Sequence, residues 1–162
     1  MKLKIKDKIP NTEIFHLVGG EPQKDKLSEI IGNRKIVLFG LPGAFTSTCS
    51  KLHLPGFVAN ADKIIEKGIE HIFCLSVNDP YVMNGWGEIN NIGDKIKMLS
   101  DPYLSFTKSI GAEIDRNSKG MGMRSSRYLM VIENLKVVNI HVEKETKECG
   151  LTSAENLLDN ML

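Results

Sequence analysis

At 162 residues, with 41% hydrophobic and 25% charged residues, the chain can bury one substantial core, and we expect a single domain over residues 1–162. Its 21 Lys and Arg residues nearly balance 20 Asp and Glu residues, so we expect no nucleic-acid partner. No apolar run is long enough for a secretory signal or a membrane span, so we expect no membrane partner. Three cysteines are too few for a disulfide framework in a chain of this size, which favours a reducing cytoplasm.

The first half of the chain predicts a parallel strand–helix–strand unit. Residues 36–41 and residues 71–77 are nearly uninterrupted apolar runs, which are typical of strands buried on both faces. Between them, apolar residues from Phe57 to Ile65 recur at helical spacing, and Gly68 follows as a residue that commonly ends a helix. Two such strands joined by a helix are typically parallel.

Three shorter elements are predicted next along the chain. Asp79 followed by Pro80 is a typical helix start, because a capping residue precedes a proline at the first helical position. Residues 96–99 predict a short strand. Asp101-Pro102 predicts the start of a further short helix.

The last third of the chain changes to an antiparallel pattern. Residues 128–132 and residues 137–142 predict two strands, and residues 133–136 between them predict the turn of a hairpin. A terminal helix is predicted behind a capping-box pattern that runs from Thr152 to Glu155. The whole order predicts an α/β fold with a central mixed sheet flanked by helices, compatible with a thioredoxin-like sandwich.

The residues with the clearest chemical meaning lie between the first buried strand and the helix after it. Cys49 stands near the predicted helix start, where free N–H groups and the helix dipole favour a thiolate over a thiol. Thr46 can place a hydroxyl beside the sulfur, and Pro42 would shield the pocket from water. Arg124 and Arg127 are the candidates for a guanidinium that stabilises an anion there.

These residues resemble a known active site. The pattern Pro42-x-x-x-Thr46-x-x-Cys49 resembles the active-site motif of the peroxiredoxins, and its continuation to Phe57 resembles the type-five, or type II, branch of that family. Residues 74–80, Trp86 and residues 124–128 are similar to the same branch in order and spacing. The resemblance therefore covers nearly the whole chain.

The resemblance implies a thioredoxin-like fold, a homodimer and a thiol-dependent peroxidase that needs no metal or organic cofactor. It implies that Cys49 attacks hydrogen peroxide or an organic hydroperoxide and becomes a sulfenic acid. It also implies that Thr46 and Pro42 shape the pocket and that Arg127, rather than Arg124, is the activating arginine.

Two routes for reducing the sulfenic acid stay open. Some members of the branch carry a resolving cysteine directly after a Gly-Leu-Thr triplet, but here Gly150-Leu151-Thr152 is followed by Ser153. Cys149, in a polar segment, and Cys74, in a predicted buried strand, are the possible resolving cysteines, although burial as a small apolar residue is the more typical role for Cys74. The second route is an external thiol: glutathione with glutaredoxin, or thioredoxin. We favour the external thiol.

Other functions of the same residues were weighed. A peroxide-sensing redox switch or a chaperone-like binding protein would oxidise Cys49 without turning over. A cysteine hydrolase would use His53 as a base, but we expect a residue four positions along the helix from Cys49 to form a local hydrogen bond instead. The spacing of the four histidines is not that of a metal site.

Overall fold

A mixed sheet of seven strands forms the centre of the structure. The computed structural model describes residues 1–162. In chain order the elements are β1 (Glu13–Val18), β2 (Glu21–Lys26), α1 (Leu27–Ile31), β3 (Lys35–Gly40), a π-helical turn (Cys49–His53) continuous with α2 (Leu54–Glu66), β4 (His71–Ser76), α3 (Pro80–Ile89), β5 (Ile96–Ser100), α4 (Ser105–Ser109), β6 (Glu113–Asp115), a 3₁₀ turn (Asn117–Lys119), β7 (Met123–Ser125), β8 (Tyr128–Glu133), β9 (Lys136–Val142) and α5 (Ala154–Asn160). The strands of the sheet lie in the order β2-β1-β5-β4-β3-β8-β9. The β3–β4 and β4–β5 pairs are parallel, and the other pairs of this sheet are antiparallel.

The centre of the sheet is buried on both faces because β3, β4 and β8 each contain an uninterrupted apolar run, at residues 36–39, 72–75 and 128–132. Along β3, Val37 and Phe39 face the core that contains α2, α3 and α5, whereas Ile36 and Leu38 face the core that contains α1 and α4. This alternation is the period of two that a strand requires. The predicted thioredoxin-like sandwich is confirmed.

Most of the predicted elements are present. The helix between the two parallel strands ends before Gly68, which has a φ of +87°. Asp79 caps α3, since its carboxylate accepts a hydrogen bond from the N–H of Val82 at 3.0 Å. The hairpin turns at Asn134 and Leu135, which both have positive φ angles.

Two helix starts were predicted at the wrong residue. The helix expected from Asp101-Pro102 begins at Ser105, because the Asp101 carboxylate reaches forward to accept from the N–H groups of Phe106 and Thr107. The cap of α5 is Ser153, whose hydroxyl accepts from the N–H of Asn156 at 3.1 Å. The predicted cap, Thr152, is buried, and its hydroxyl donates to the carboxylate of Glu143 instead.

No helix of the structure combines the length and the apolar character that crossing a membrane would need.

The register of the sheet places β8 against the strand that leads to Cys49. Gly40, the last residue of β3, is paired with Tyr128, the first residue of β8. Residues 41–48 leave the end of β3, and Arg127 immediately precedes Tyr128, so two distant parts of the chain arrive at one edge of the sheet.

Gly40→Ala tests this register. A Cβ at Gly40 would overlap the ring of Tyr128 at Cζ, and both residues are in the packed interior. Because a buried ring must move, we expect a loss of about 2 kcal/mol or more in the free energy of unfolding, measured by urea denaturation.

Gly85→Ala is the matched control, because Gly85 lies within α3 and an added Cβ meets no atom within 4 Å. Alanine there should leave stability unchanged or raise it by up to about 1 kcal/mol. Equal stability of the two variants would contradict the close contact between Gly40 and Tyr128.

Candidate active site

Cys49 lies in the first turn of a helix and is fully buried. The helical conformation starts at Ser47, and the N–H of Ser50 donates to the carbonyl of Thr46 at 2.9 Å. The next turn is π-helical, with the N–H of Leu54 bonded to the carbonyl of Cys49. The first N–H groups of such a helix have no carbonyl behind them, so the sulfur lies at the positive end of the helix dipole.

Arg127 is the cation that contacts this sulfur. Its Nη2 donates to Sγ of Cys49 at 3.3 Å and to the carbonyl of Thr146 at 2.8 Å, and its Nη1 donates to Nδ1 of His53 at 2.7 Å. Only 1% of Arg127 is exposed. The three ion pairs of the structure are formed by other residues, so no carboxylate is in direct contact with this buried charge. The sulfur of Cys49 is among the groups that contact it instead.

His53 holds Arg127 and is not a base for Cys49. A guanidinium can only donate and the carbonyl of Thr152 can only accept, so the His53 ring carries its proton on Nε2, which donates to that carbonyl at 2.9 Å. Burial and then the charge of Arg127 lower the pKa of His53 from 6.5 to about 3. The ring is therefore neutral near pH 7. The expectation of a local hydrogen bond was wrong, since both partners lie far along the chain.

Residues 143–152, here called the C-terminal strap, run beside the site. Their backbone supplies the carbonyls of Thr146 and Thr152, and the carbonyl of Lys147 accepts from the hydroxyl of Thr48 at 3.4 Å. The strap is closed by Glu143, whose carboxylate accepts from the N–H of Thr152 at 2.8 Å and from its hydroxyl at 3.0 Å. Sequence reasoning missed these contacts, because backbone carbonyls leave no pattern in side-chain types.

Pro42, Thr46 and Arg127 line a cavity of about 200 Å³. Cys49 is fully buried and does not line this cavity itself, and Arg127, which contacts its sulfur, lies between the two. The hydroxyl of Thr46 donates to the carbonyl of Gly43 at 2.8 Å, which leaves its oxygen lone pairs free to accept. Arg124 does not contact the sulfur: it donates to the carbonyl of Met121 at 2.7 Å and to that of Pro42 at 3.3 Å. Arg124 therefore supports the loop instead of the sulfur.

The other two cysteines have different surroundings, and all three are free thiols. Cys74 is fully buried in β4, within the same core cluster as Cys49, and burial raises its pKa well above the ordinary value. Cys149 is partly buried in the C-terminal strap, and burial raises its pKa too. Thiolate formation at neutral pH is disfavoured at both positions.

A larger groove of about 990 Å³ lies elsewhere, between the β1–β2 hairpin and the β5 side of the sheet. Its walls include His16, Asp25, His71 and Lys97, but none of the residues around Cys49. It holds no cysteine, and no three His, Cys, Asp or Glu side chains of the structure are grouped as metal ligands would be.

Comparisons with known proteins agree with this geometry. The family model described as Redoxin matches residues 4–158. Peroxiredoxin-2D of Arabidopsis thaliana is 39% identical over 153 residues, which cover 94% of each chain. The crystal structure of reduced Prx3 from Vibrio vulnificus in complex with H₂O₂ is 39% identical, with a TM-score of 0.90 and coverage of 96% of this chain and 97% of that one. A Plasmodium falciparum antioxidant protein, titled a 1-Cys peroxiredoxin, is 32% identical, with a TM-score of 0.88 and 96% of both chains covered.

The lowered pKa of His53 predicts a dependence of stability on pH. The His53 ring of the unfolded chain binds a proton below pH 6.5, whereas that of the folded protein does so only near pH 3. The free energy of unfolding therefore has its full value above pH 6.5 and falls as the pH decreases from 6.5 to about 3. His53→Asn keeps an oxygen near Nδ1 to accept from Arg127 but cannot titrate. Between pH 6 and pH 4 we expect the unfolding free energy of the wild type to fall more steeply than that of the variant, by up to about 1.4 kcal/mol per pH unit in urea titrations. Parallel curves would show that His53 titrates normally.

Proposed function

Because the chain belongs to the redoxin family, and within it to the peroxiredoxins, its activity is that of a thiol-dependent peroxidase, and we propose that Cys49 is the residue that attacks the hydroperoxide. Arg127, Thr46 and Pro42 form its pocket in this proposal. The observation that carries it is the buried guanidinium of Arg127, which donates to the sulfur and forms no ion pair with a carboxylate.

The reaction follows from the donors around the sulfur. The Cys49 thiolate attacks one peroxide oxygen and the O–O bond breaks, giving a sulfenic acid and an alkoxide or hydroxide that takes up a proton. Arg127 stabilises the charge as it moves from sulfur to the departing oxygen, an effect on the order of 2–4 kcal/mol for one such donor. The oxygen of Thr46, with its own proton directed at Gly43, is free to accept the O–H of the bound peroxide.

An external thiol then reduces the sulfenic acid in this proposal, supplied by glutathione with glutaredoxin or by thioredoxin. The position after the Gly-Leu-Thr triplet is Ser153, and the raised pKa of Cys149 leaves little thiolate to attack. A one-cysteine cycle also fits the name of the Plasmodium relative.

The proposed setting is a homodimer in the cytoplasm. Phe45, Tyr81 and Tyr103 are more than half exposed, and each follows the carboxyl end of one of the parallel strands β3, β4 and β5. Such ends share one edge of a sheet, so the three rings offer an apolar surface there to a second copy.

Cys49→Ser tests the proposed function. A serine hydroxyl stays protonated at neutral pH, so we expect no steady peroxide consumption with any thiol donor, while circular dichroism shows an intact fold. Wild type should turn over many times. Oxidation of the wild type that stops after a single equivalent with every donor would instead favour the peroxide-sensing switch.

Arg127→Ala should slow the reaction of Cys49 with hydrogen peroxide by at least about tenfold in stopped-flow measurements, because one charge-assisted donor is lost. Arg124→Ala is the matched control. It removes the same charge from a residue that bonds only to backbone carbonyls, so its rate should stay within about threefold of wild type if the loop holds. The reverse order would show that the wrong arginine has been assigned.

Cys149→Ser decides between the two recycling routes. We expect the variant to keep at least about half of the turnover supported by glutathione and glutaredoxin, because that route needs only the sulfenic acid on Cys49. Loss of turnover with every donor, together with a Cys49–Cys149 peptide in a non-reducing digest of oxidised wild type, would make Cys149 the resolving residue.

A further inference from the structure

The cavity beside Cys49 has an unusual charge. Four of the ten residues that line it are cations, Arg116, Lys119, Arg127 and Lys147, and none is acidic. The chain as a whole is nearly neutral, at a formal charge of +1. The cations are therefore concentrated around this opening. We call Arg116, Lys119 and Lys147 the basic rim.

The basic rim is assembled from two separate parts of the chain. Arg116 and Lys119 come from the turn between β6 and β7, whereas Lys147 comes from the C-terminal strap. The guanidinium of Arg116 bonds to the hydroxyl of Thr146, which joins the two parts. The rim is therefore a built feature of the folded chain and not a run of neighbouring charges.

No carboxylate forms an ion pair with the basic rim. Two acidic neighbours in the same segments accept from backbone groups instead: Asp115 accepts from the N–H of Asn117 at 2.7 Å, and Glu148 accepts from the N–H of Glu145 at 3.2 Å. Below the rim, the Nε of Arg127 is buried without a partner. The positive charge is thus available to a ligand.

The cavity is also larger than hydrogen peroxide needs. Two water volumes, an upper guide to the size of that molecule, amount to roughly 60 Å³, whereas the cavity measures about 200 Å³. The remaining space would admit a small organic molecule whose reacting atom approaches Cys49 while an anionic group stays at the rim.

We propose that the basic rim binds the carboxylate of a low-molecular-weight thiol and directs the thiol onto oxidised Cys49. This inference rests on the proposed function. A thiol is favoured over an anionic peroxide because the thiol must attack as a thiolate, which is itself an anion, whereas hydrogen peroxide and alkyl hydroperoxides bind in neutral form. The rim therefore assists the reducing step twice, through the thiolate and through the carboxylate.

The step balances without any further reactant. The thiolate sulfur attacks the sulfenic sulfur of Cys49, an S–S bond forms and the S–O bond breaks, and the departing hydroxide takes up a proton and leaves as water. The incoming sulfur is oxidised and the sulfur of Cys49 is reduced to a mixed disulfide. A second thiolate then displaces the Cys49 thiolate and leaves as a small disulfide.

A charge series of small thiols tests the proposal. Cys49 is first oxidised with one equivalent of hydrogen peroxide, and mixed-disulfide formation is then timed by intact-mass spectrometry. The probes are 3-mercaptopropionate, 2-mercaptoethanol and cysteamine, which are similar in length but anionic, neutral and cationic at the end distant from the sulfur. Comparing each probe between wild type and variants cancels its intrinsic reactivity.

The test variant carries Arg116→Gln, Lys119→Gln and Lys147→Gln. We expect the rate with 3-mercaptopropionate to fall at least about tenfold, the rate with 2-mercaptoethanol to fall much less and the rate with cysteamine to stay or rise. High salt should reduce the wild-type rate with 3-mercaptopropionate toward that of the variant. The double variant Lys119→Gln/Lys147→Gln keeps the Arg116–Thr146 bond and should show the same order, which guards against a folding defect in the triple variant.

The control variant removes three charges elsewhere, at the exposed residues Lys63, Lys67 and Lys108, and should leave all three rates unchanged. Equal effects of the rim variant on all three thiols, or no effect on any, would overturn the proposal. A loss of rate only with a carboxylate-bearing hydroperoxide, measured in the preceding oxidation step, would also overturn it by making the rim a peroxide site. Failure of wild type to form any sulfenic acid at Cys49 would instead refute the proposed function itself.

Discussion

The buried charge of Arg127 is the constraint on which the active site depends. A guanidinium that is 99% removed from solvent without a carboxylate partner is costly to bury, unless other groups accept its hydrogen bonds and an anion stands beside it. Here the ring of His53 and a strap carbonyl are the acceptors, and the sulfur of Cys49 occupies the place of the anion. The same arrangement that accommodates Arg127 in the interior places its guanidinium against the sulfur of Cys49.

Several elements of the fold serve to hold this contact. The pairing of Gly40 with Tyr128 fixes the start of β8 against the end of β3, and so sets Arg127 beside the loop that carries Cys49. His53, one helical turn after the cysteine, links Arg127 to the C-terminal strap through Thr152. The strap in turn covers the site and contributes to the basic rim. A displacement of the strap would therefore remove acceptors from Arg127 as well as open the cavity.

Much of this architecture could be predicted from the sequence. The buried strands are apolar runs, and the cysteine that we propose as the attacking residue belongs to a dense local motif, so both are encoded by neighbouring residues. The choice of Arg127 over Arg124 came from a resemblance, and the geometry agrees that Arg127 is the arginine at the sulfur.

The remainder could not be predicted because it depends on contacts across the fold. His53 bonds to Thr152, 99 residues away, and only the folded strap brings the two together. Two helices start at residues other than the predicted ones, because capping depends on which side chain is free to reach the backbone. The side chains that do so are those of Asp101 and Ser153. The basic rim is likewise invisible in a sequence with an almost even charge balance, since its members come from distant segments.

In the proposed reaction, an oxygen of the peroxide is transferred to the sulfur of Cys49, which Arg127 contacts. The most direct measurement is to treat the wild-type protein with one equivalent of hydrogen peroxide in the presence of dimedone, which traps sulfenic acids, and to map the labelled peptide by mass spectrometry. We expect a single label, on Cys49, formed before any change at the other two cysteines. A first label on Cys74 or Cys149, with Cys49 still a free thiol, would contradict it.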